Sequence, residues 1–119
     1  MAAQVSGISF MTKLGPDVLA SAIKVGDEYA WALSEALHII DKLETARCVI
    51  LGIEFWEFLD KSFVHPKVLG WSEYDLDPSR KDWDSYVTRS VELARASLVK
   101  SSDIKSDSPI WCQITWVEF

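Results

Sequence analysis

The sequence predicts a small α+β domain: a largely antiparallel sheet with helices packed on one face. Three observations carry that expectation. Apolar residues recur at helical spacing in two stretches, 34–45 and 82–100. They alternate with period two in two others, 47–59 and 110–119. A chain of 119 residues suffices for one core and not comfortably for two, so a single domain over 1–119 is expected. At this size roughly 65% of the unfolded surface is buried, and no disulfide or metal is needed to hold the core.

Residues 1–14 are weakly patterned and are expected to be loosely ordered. Gly15-Pro16-Asp17 reads as a turn into a short helix, with Val18, Leu19, Ala22 and Ile23 on one side and Gly26-Asp27 at its end. Ser34 is the expected N-cap of a helix over 34–45, with Glu35 suited to the positive end of the helix dipole. Ala36, Leu37, Ile40 and Leu43 form its expected buried face, and His38, Asp41, Lys42 and Glu44 point outward.

In 47–59, Val49, Leu51, Ile53, Phe55 and Leu59 make one apolar row, broken by Glu57, and Gly52 signals a bulge or close backbone approach. The other row holds Cys48, Ile50, Gly52, Glu54, Trp56 and Phe58. Asp60-Lys61-Ser62 suits a hairpin turn, after which the chain returns from Phe63 until His65-Pro66 interrupts it, with a further short strand over 68–74. A polar loop over 75–81 leads to Asp82 as the cap of a second long helix. Trp83, Tyr86, Val87, Ser90, Val91, Ala94 and Leu98 lie on its inner stripe. After a polar linker over 101–109, Ile110, Cys112, Ile114 and Trp116 form the expected core row of a last strand.

Composition narrows the function. The formal net charge is −6, against the basic surface that nucleic-acid backbones and anionic lipids require. An acidic field suits a basic protein partner. No signal peptide or membrane-spanning run is legible, so a cytoplasmic protein is expected. Cys48 and Cys112 have no metal or disulfide spacing and read as buried thiols. No phosphate loop, dinucleotide fingerprint or nucleophile elbow is present. His38 reads as a solvated helix residue and His65 as a loop residue. Glu73, Asp75 and Asp77 lack the glycine and terminal glutamate of a calcium loop. The expectation is therefore a non-enzymatic protein with no metal and no cofactor.

The charge is concentrated. Residues 54–84 hold eight acids and four bases, a net −4 in 31 residues, together with three of the six tryptophans. Tryptophan anchors ringed by steering charges are the signature of a protein interface. The residues expected to bind a partner are Glu54, Trp56, Trp71, Glu73, Tyr74, Asp75 and Asp77. If the strands of Trp56 and Trp111 are neighbours, one sheet face carries Glu54, Trp56, Trp111, Gln113 and Thr115. Such a face is covered by a helix or used for binding, and it also suits a homodimer.

The stretch Trp31-Ala32-Leu33-Ser34-Glu35-Ala36-Leu37 runs through Ile40 and Leu43 to Ile50-Leu51-Gly52-Ile53-Glu54-Phe55-Trp56. With Trp71 and then Tyr86, Ser90 and Ala94 at helical spacing, it resembles immunity protein family forty of the bacterial polymorphic toxin systems. The resemblance covers roughly residues 28–100, and Gly52-Ile53 stands where the family usually has Gly-Gly. It implies a cytoplasmic antidote that binds one toxin domain and blocks it, in many cases a nuclease with a basic cleft. A small adaptor or regulatory subunit binding a basic protein is the alternative.

Overall fold

The computed structural model describes residues 4–5, 14–60, 63–73, 76–104 and 109–118, and of 4–5, 58–60 and 63–70 the backbone alone. In chain order the elements are β1 (Gln4–Val5), α1 (Pro16–Ala20), β2 (Ile23–Val25), β3 (Glu28–Ala32), α2 (Leu33–Thr45), β4 (Val49–Asp60), β5 (Phe63–Ser72), α3 (Trp83–Lys100), a 3-10 turn (Ser101–Asp103) and β6 (Ile110–Glu118). The strands form one sheet in the order β2-β3-β6-β4-β5, with β1 beside the end of β6, and these pairings are antiparallel. Ala36, Ile39, Ile40 and Leu43 of α2 and Val87, Val91 and Ala94 of α3 close over Trp31, Ile53, Phe55, Cys112, Ile114 and Trp116. The expected α+β class, with helices on one face of an antiparallel sheet, is the fold observed.

The first third of the chain departs most from expectation. The first helix ends at Ala20, and Ile23 belongs to a strand. Gly26-Asp27 is not a helix stop but a two-residue hairpin loop between Val25 and Glu28. Gly26 has φ +60°, and only glycine accepts that conformation without strain at the first position of such a loop. The residues before Leu33 are strand β3; its Tyr29 and Trp31 rings stack on each other, and both meet the tilted ring of Trp116 in β6, with centroids 6.1–6.3 Å apart. The Trp31 indole N–H donates to the Val18 carbonyl at 2.9 Å, tying α1 to the sheet.

Because β3 runs straight into α2, the helix starts at Leu33 and Ser34 is not its cap; no side chain caps this end. The same junction sets the helix phase. Apolar residues at 36, 37, 39, 40 and 43 span more arc than a helix lying on a sheet can bury. Ile39 goes into the core, and Leu37, expected inside, is 52% exposed. The helix ends in a Schellman arrangement: the Cys48 amide donates to Leu43 and the Arg47 amide to Glu44, both at 2.9 Å, with Arg47 at φ +57°.

In β4 the alternation is broken where Gly52 signals it. Ile50 pairs with Trp116 and Gly52 with Thr115, so Leu51 is the extra residue of a bulge. Ile50 therefore joins the core rather than the mixed row, and both Ile50 and Leu51 are buried. Beyond the turn, β5 is continuous from Phe63 to Ser72 and Pro66 does not interrupt it. An edge strand can carry a proline, since one side of its backbone makes no ladder. Residues 61–62 of the expected turn, the side chains of Leu59 and His65, and most of 1–14 lie outside the described residues. Asp82 does precede α3, although its side chain makes no capping hydrogen bond.

Candidate partner-binding surfaces

The two tryptophan-bearing strands are neighbours, as the conditional expectation required. Trp56 lies opposite Trp111, Glu54 opposite Gln113 and Gly52 opposite Thr115. On the other side of β6, Ala32 faces Trp111 and Ala30 faces Gln113. These side chains occupy the sheet face turned away from α2 and α3. Its centre is buried: Ala30, Gln113 and Trp56 have at most 3% of their surface exposed. Its polar atoms are paired locally, with the Trp56 indole donating to Glu54 Oε1 at 2.8 Å and Gln113 Nε2 donating to Thr115 Oγ1 at 2.6 Å. Glu28 and Glu54 lie within electrostatic reach, and burial first, then the Glu54 charge, raises the Glu28 carboxyl above its usual range. The accessible part of this face is its rim of Glu28, Glu54, Trp111 and Thr115.

Trp71 lies elsewhere. It is opposite Ile53 in β5, packs against the helix-covered core and is half-buried. The Glu73 amide donates to the Leu51 carbonyl at 2.6 Å, anchoring the chain as it leaves the sheet. The Glu73 carboxylate takes Arg89 of α3 at 2.6 Å and 2.9 Å, which raises the guanidinium pKa and offsets part of the negative charge expected here. Asp77 is exposed, and Tyr74 and Asp75 lie outside the described residues. The expected binding residues are thus divided. Glu54 and Trp56 are on one face of the sheet; Trp71, Glu73 and Asp77 are at the β5–α3 edge.

The helix layer carries its own charge pairs. Arg95 bridges Asp41 at 2.7 Å and Glu44 at 3.0 Å across α2 and α3, and Arg47 Nε donates to Asp84 at 2.8 Å. The Trp83 indole donates to the Arg47 carbonyl at 2.6 Å. Trp83 and Trp116 are therefore core and junction residues, as their rows suggested.

Among the described residues the cysteines and His38 lie apart. Both cysteines are buried thiols, and desolvation pushes the Cys112 thiol up to about 12, far from the thiolate a nucleophile needs. His38 is exposed on α2. Among the described residues no three metal-ligating side chains come together, and no helix is long and apolar enough to cross a membrane.

Fold and surfaces together define a small acidic α+β protein whose distinctive groups are aromatic and charged. The chain belongs to the Immunity protein 40 family, whose sequence model matches residues 11–115. Membership carries a toxin-immunity role in general, and with it the binding of a cognate toxin. No curated protein and no solved structure matches the chain.

Proposed function

We propose that this protein neutralises one cognate toxin domain by stoichiometric, non-enzymatic binding in the cytoplasm of the cell that makes it. The family match over residues 11–115 is the observation that carries the reading. The charge distribution supports it. A net −4 across 54–84, shared between the Glu54 face of the sheet and the β5–α3 edge, gives this part of the chain a field that attracts a basic surface, such as the nucleic-acid cleft of a nuclease toxin. Within that edge, half-buried Trp71 is the anchor and Asp77 steers; Tyr74 and Asp75, which lie between them in sequence, are assigned to the same interface. Glu73 contributes less charge than its sequence context suggests, because Arg89 already holds it. Trp56 has already spent its area inside the fold and serves as scaffold.

Charge steering and aromatic anchoring separate in kinetics: charges set the association rate and buried aromatics the dissociation rate. Replacing Asp75 and Asp77 by lysine is expected to slow association with the toxin and flatten its salt dependence. Trp71→Ala is expected to speed dissociation. Unchanged kinetics in both variants would remove this edge from the interface.

A further inference from the structure

We propose that Arg89 is a positioning residue of the toxin-binding edge: its grip on Glu73 holds the end of β5 in the form that the toxin meets. This rests on the reading of the β5–α3 edge as the interface. By charge alone Arg89 works against such an edge, because it cancels a carboxylate that would draw a basic partner. Its contacts give it a different role. Glu92 stands three positions further along α3, within reach of a helical ion pair, yet the guanidinium turns to Glu73, 16 residues back in the chain. Arg89 Nη2 meets Glu73 Oε1 at 2.6 Å and Nη1 donates to Oε2 at 2.9 Å. Two such contacts between planar groups fix orientation as well as distance.

The pair is also sheltered. The Glu73 side chain is 23% exposed, against 78% for Asp84 in the Arg47 bridge. Exposed ion pairs hold little, and a two-point, partly covered one is the exception. Glu73 is the residue where such a hold acts on the interface. Its amide donates to the Leu51 carbonyl of β4 at 2.6 Å, its own carbonyl accepts the Leu76 amide at 2.9 Å, and its carboxylate takes Arg89. Leu76 packs against the core, as does Trp71 two residues before Glu73. Sheet, core and helix are thus joined at one residue, between the anchor Trp71 and the steering Asp77, and Arg89 supplies the contact to the helix. A side chain ordered before docking loses no further freedom during docking, so this grip raises affinity without touching the partner.

The test uses the full-length protein and the C-terminal domain of the secreted protein encoded immediately upstream, with affinity measured by titration calorimetry. The variants are Arg89→Ala, Trp71→Ala, the two combined, and the exchange of Glu73→Arg with Arg89→Glu; urea unfolding confirms that each folds. Arg89→Ala is expected to weaken binding about fivefold or more, although it makes the protein more acidic. In the Trp71→Ala background the same change is expected to cost less than about twofold, because the anchor it positions is gone. The exchange keeps the net charge and re-forms an arginine–glutamate pair, and is expected to bind within about threefold of the parent. Binding that tightens or stays within about twofold in Arg89→Ala overturns the proposal and leaves Arg89 as a charge alone. Additive losses of Arg89→Ala and Trp71→Ala overturn it too. So does a folded exchange as weak as Arg89→Ala, since Glu73 or Arg89 then touches the toxin itself. A parent protein that binds no toxin removes the functional reading and this inference with it. Weakening by Trp71→Ala with none by Arg89→Ala removes the inference alone.

Discussion

Ser90 Oγ accepts the backbone amide of Ile50 at 3.0 Å and donates to the Val87 carbonyl at 3.0 Å, so one buried hydroxyl joins α3 to the bulge of β4. The bulge interrupts the ladder to β6, and the amide at its start needs another acceptor. Ser90→Ala is expected to leave that donor without a partner in the core and to cost about 1–3 kcal/mol. Urea unfolding should show a lower midpoint with an unchanged slope. An unchanged midpoint would mean that the bulge amide is satisfied in another way.

Arg47 occupies a left-handed conformation at the end of α2, where a branched residue is strained and glycine is not. Arg47→Val is expected to destabilise by about 1–2 kcal/mol. Arg47→Gly is expected to stay close to the parent stability, because relief of the strain is set against loss of the exposed Asp84 ion pair. Chemical unfolding of the two variants side by side gives the comparison; equal losses would contradict the backbone argument.

Cys112 is buried in the middle of the sheet with its thiol pushed up to about 12. Alkylation of the folded protein at mildly alkaline pH should therefore leave it unmodified, and denaturant should expose it. Prompt modification in the native state would contradict its placement opposite Phe55.

The raised carboxyl of Glu28 makes a pH prediction with a definite sign. The folded state holds this proton more tightly than the unfolded state, so the residue lowers stability as pH rises through its folded pKa and has no such effect below the unfolded value of 4.5. Glu28→Gln is expected to stabilise slightly at neutral pH, with the gain fading in acid. Glu54→Gln should lower the Glu28 pKa in a carboxyl NMR titration, since the Glu54 charge is the second cause of the shift. A Glu28 titration indifferent to Glu54 would separate the two groups in space.

Much of this fold was legible before the structure. The period-two run of β4, the core row of Cys112, Ile114 and Trp116, and the inner stripe of α3 follow from alternation and helical spacing alone, and the glycine at 52 signals the bulge beside it. What was not legible lay in 15–32. There β2 has three residues and β3 five, too few for alternation to outweigh a turn signal, and Gly26-Asp27 fits a helix stop as readily as a hairpin. Missing β3 also misplaced the start of α2 and hid the exposure of Leu37. The candidate site was partly legible. That Trp56 and Trp111 share a face followed from row membership once the strands were neighbours; their direct pairing did not. The division between Glu54 with Trp56 and Trp71 with Glu73 did not, because a sequence lists these residues together while the sheet turns them to opposite sides. The Arg89 partner of Glu73 is 16 residues away and leaves no local signal. The placement of α1 depends on the Trp31 indole, a contact across 13 residues that periodicity does not reveal.

The central claim is inhibition by stoichiometric binding, and co-expression with the adjacent toxin domain tests it most directly. Growth should be restored, and size-exclusion chromatography with mass measurement should recover a complex of equal numbers of the two chains with the toxin chemically intact. Failure to restore growth, or rescue in which no complex forms and the toxin is recovered covalently altered, would contradict it.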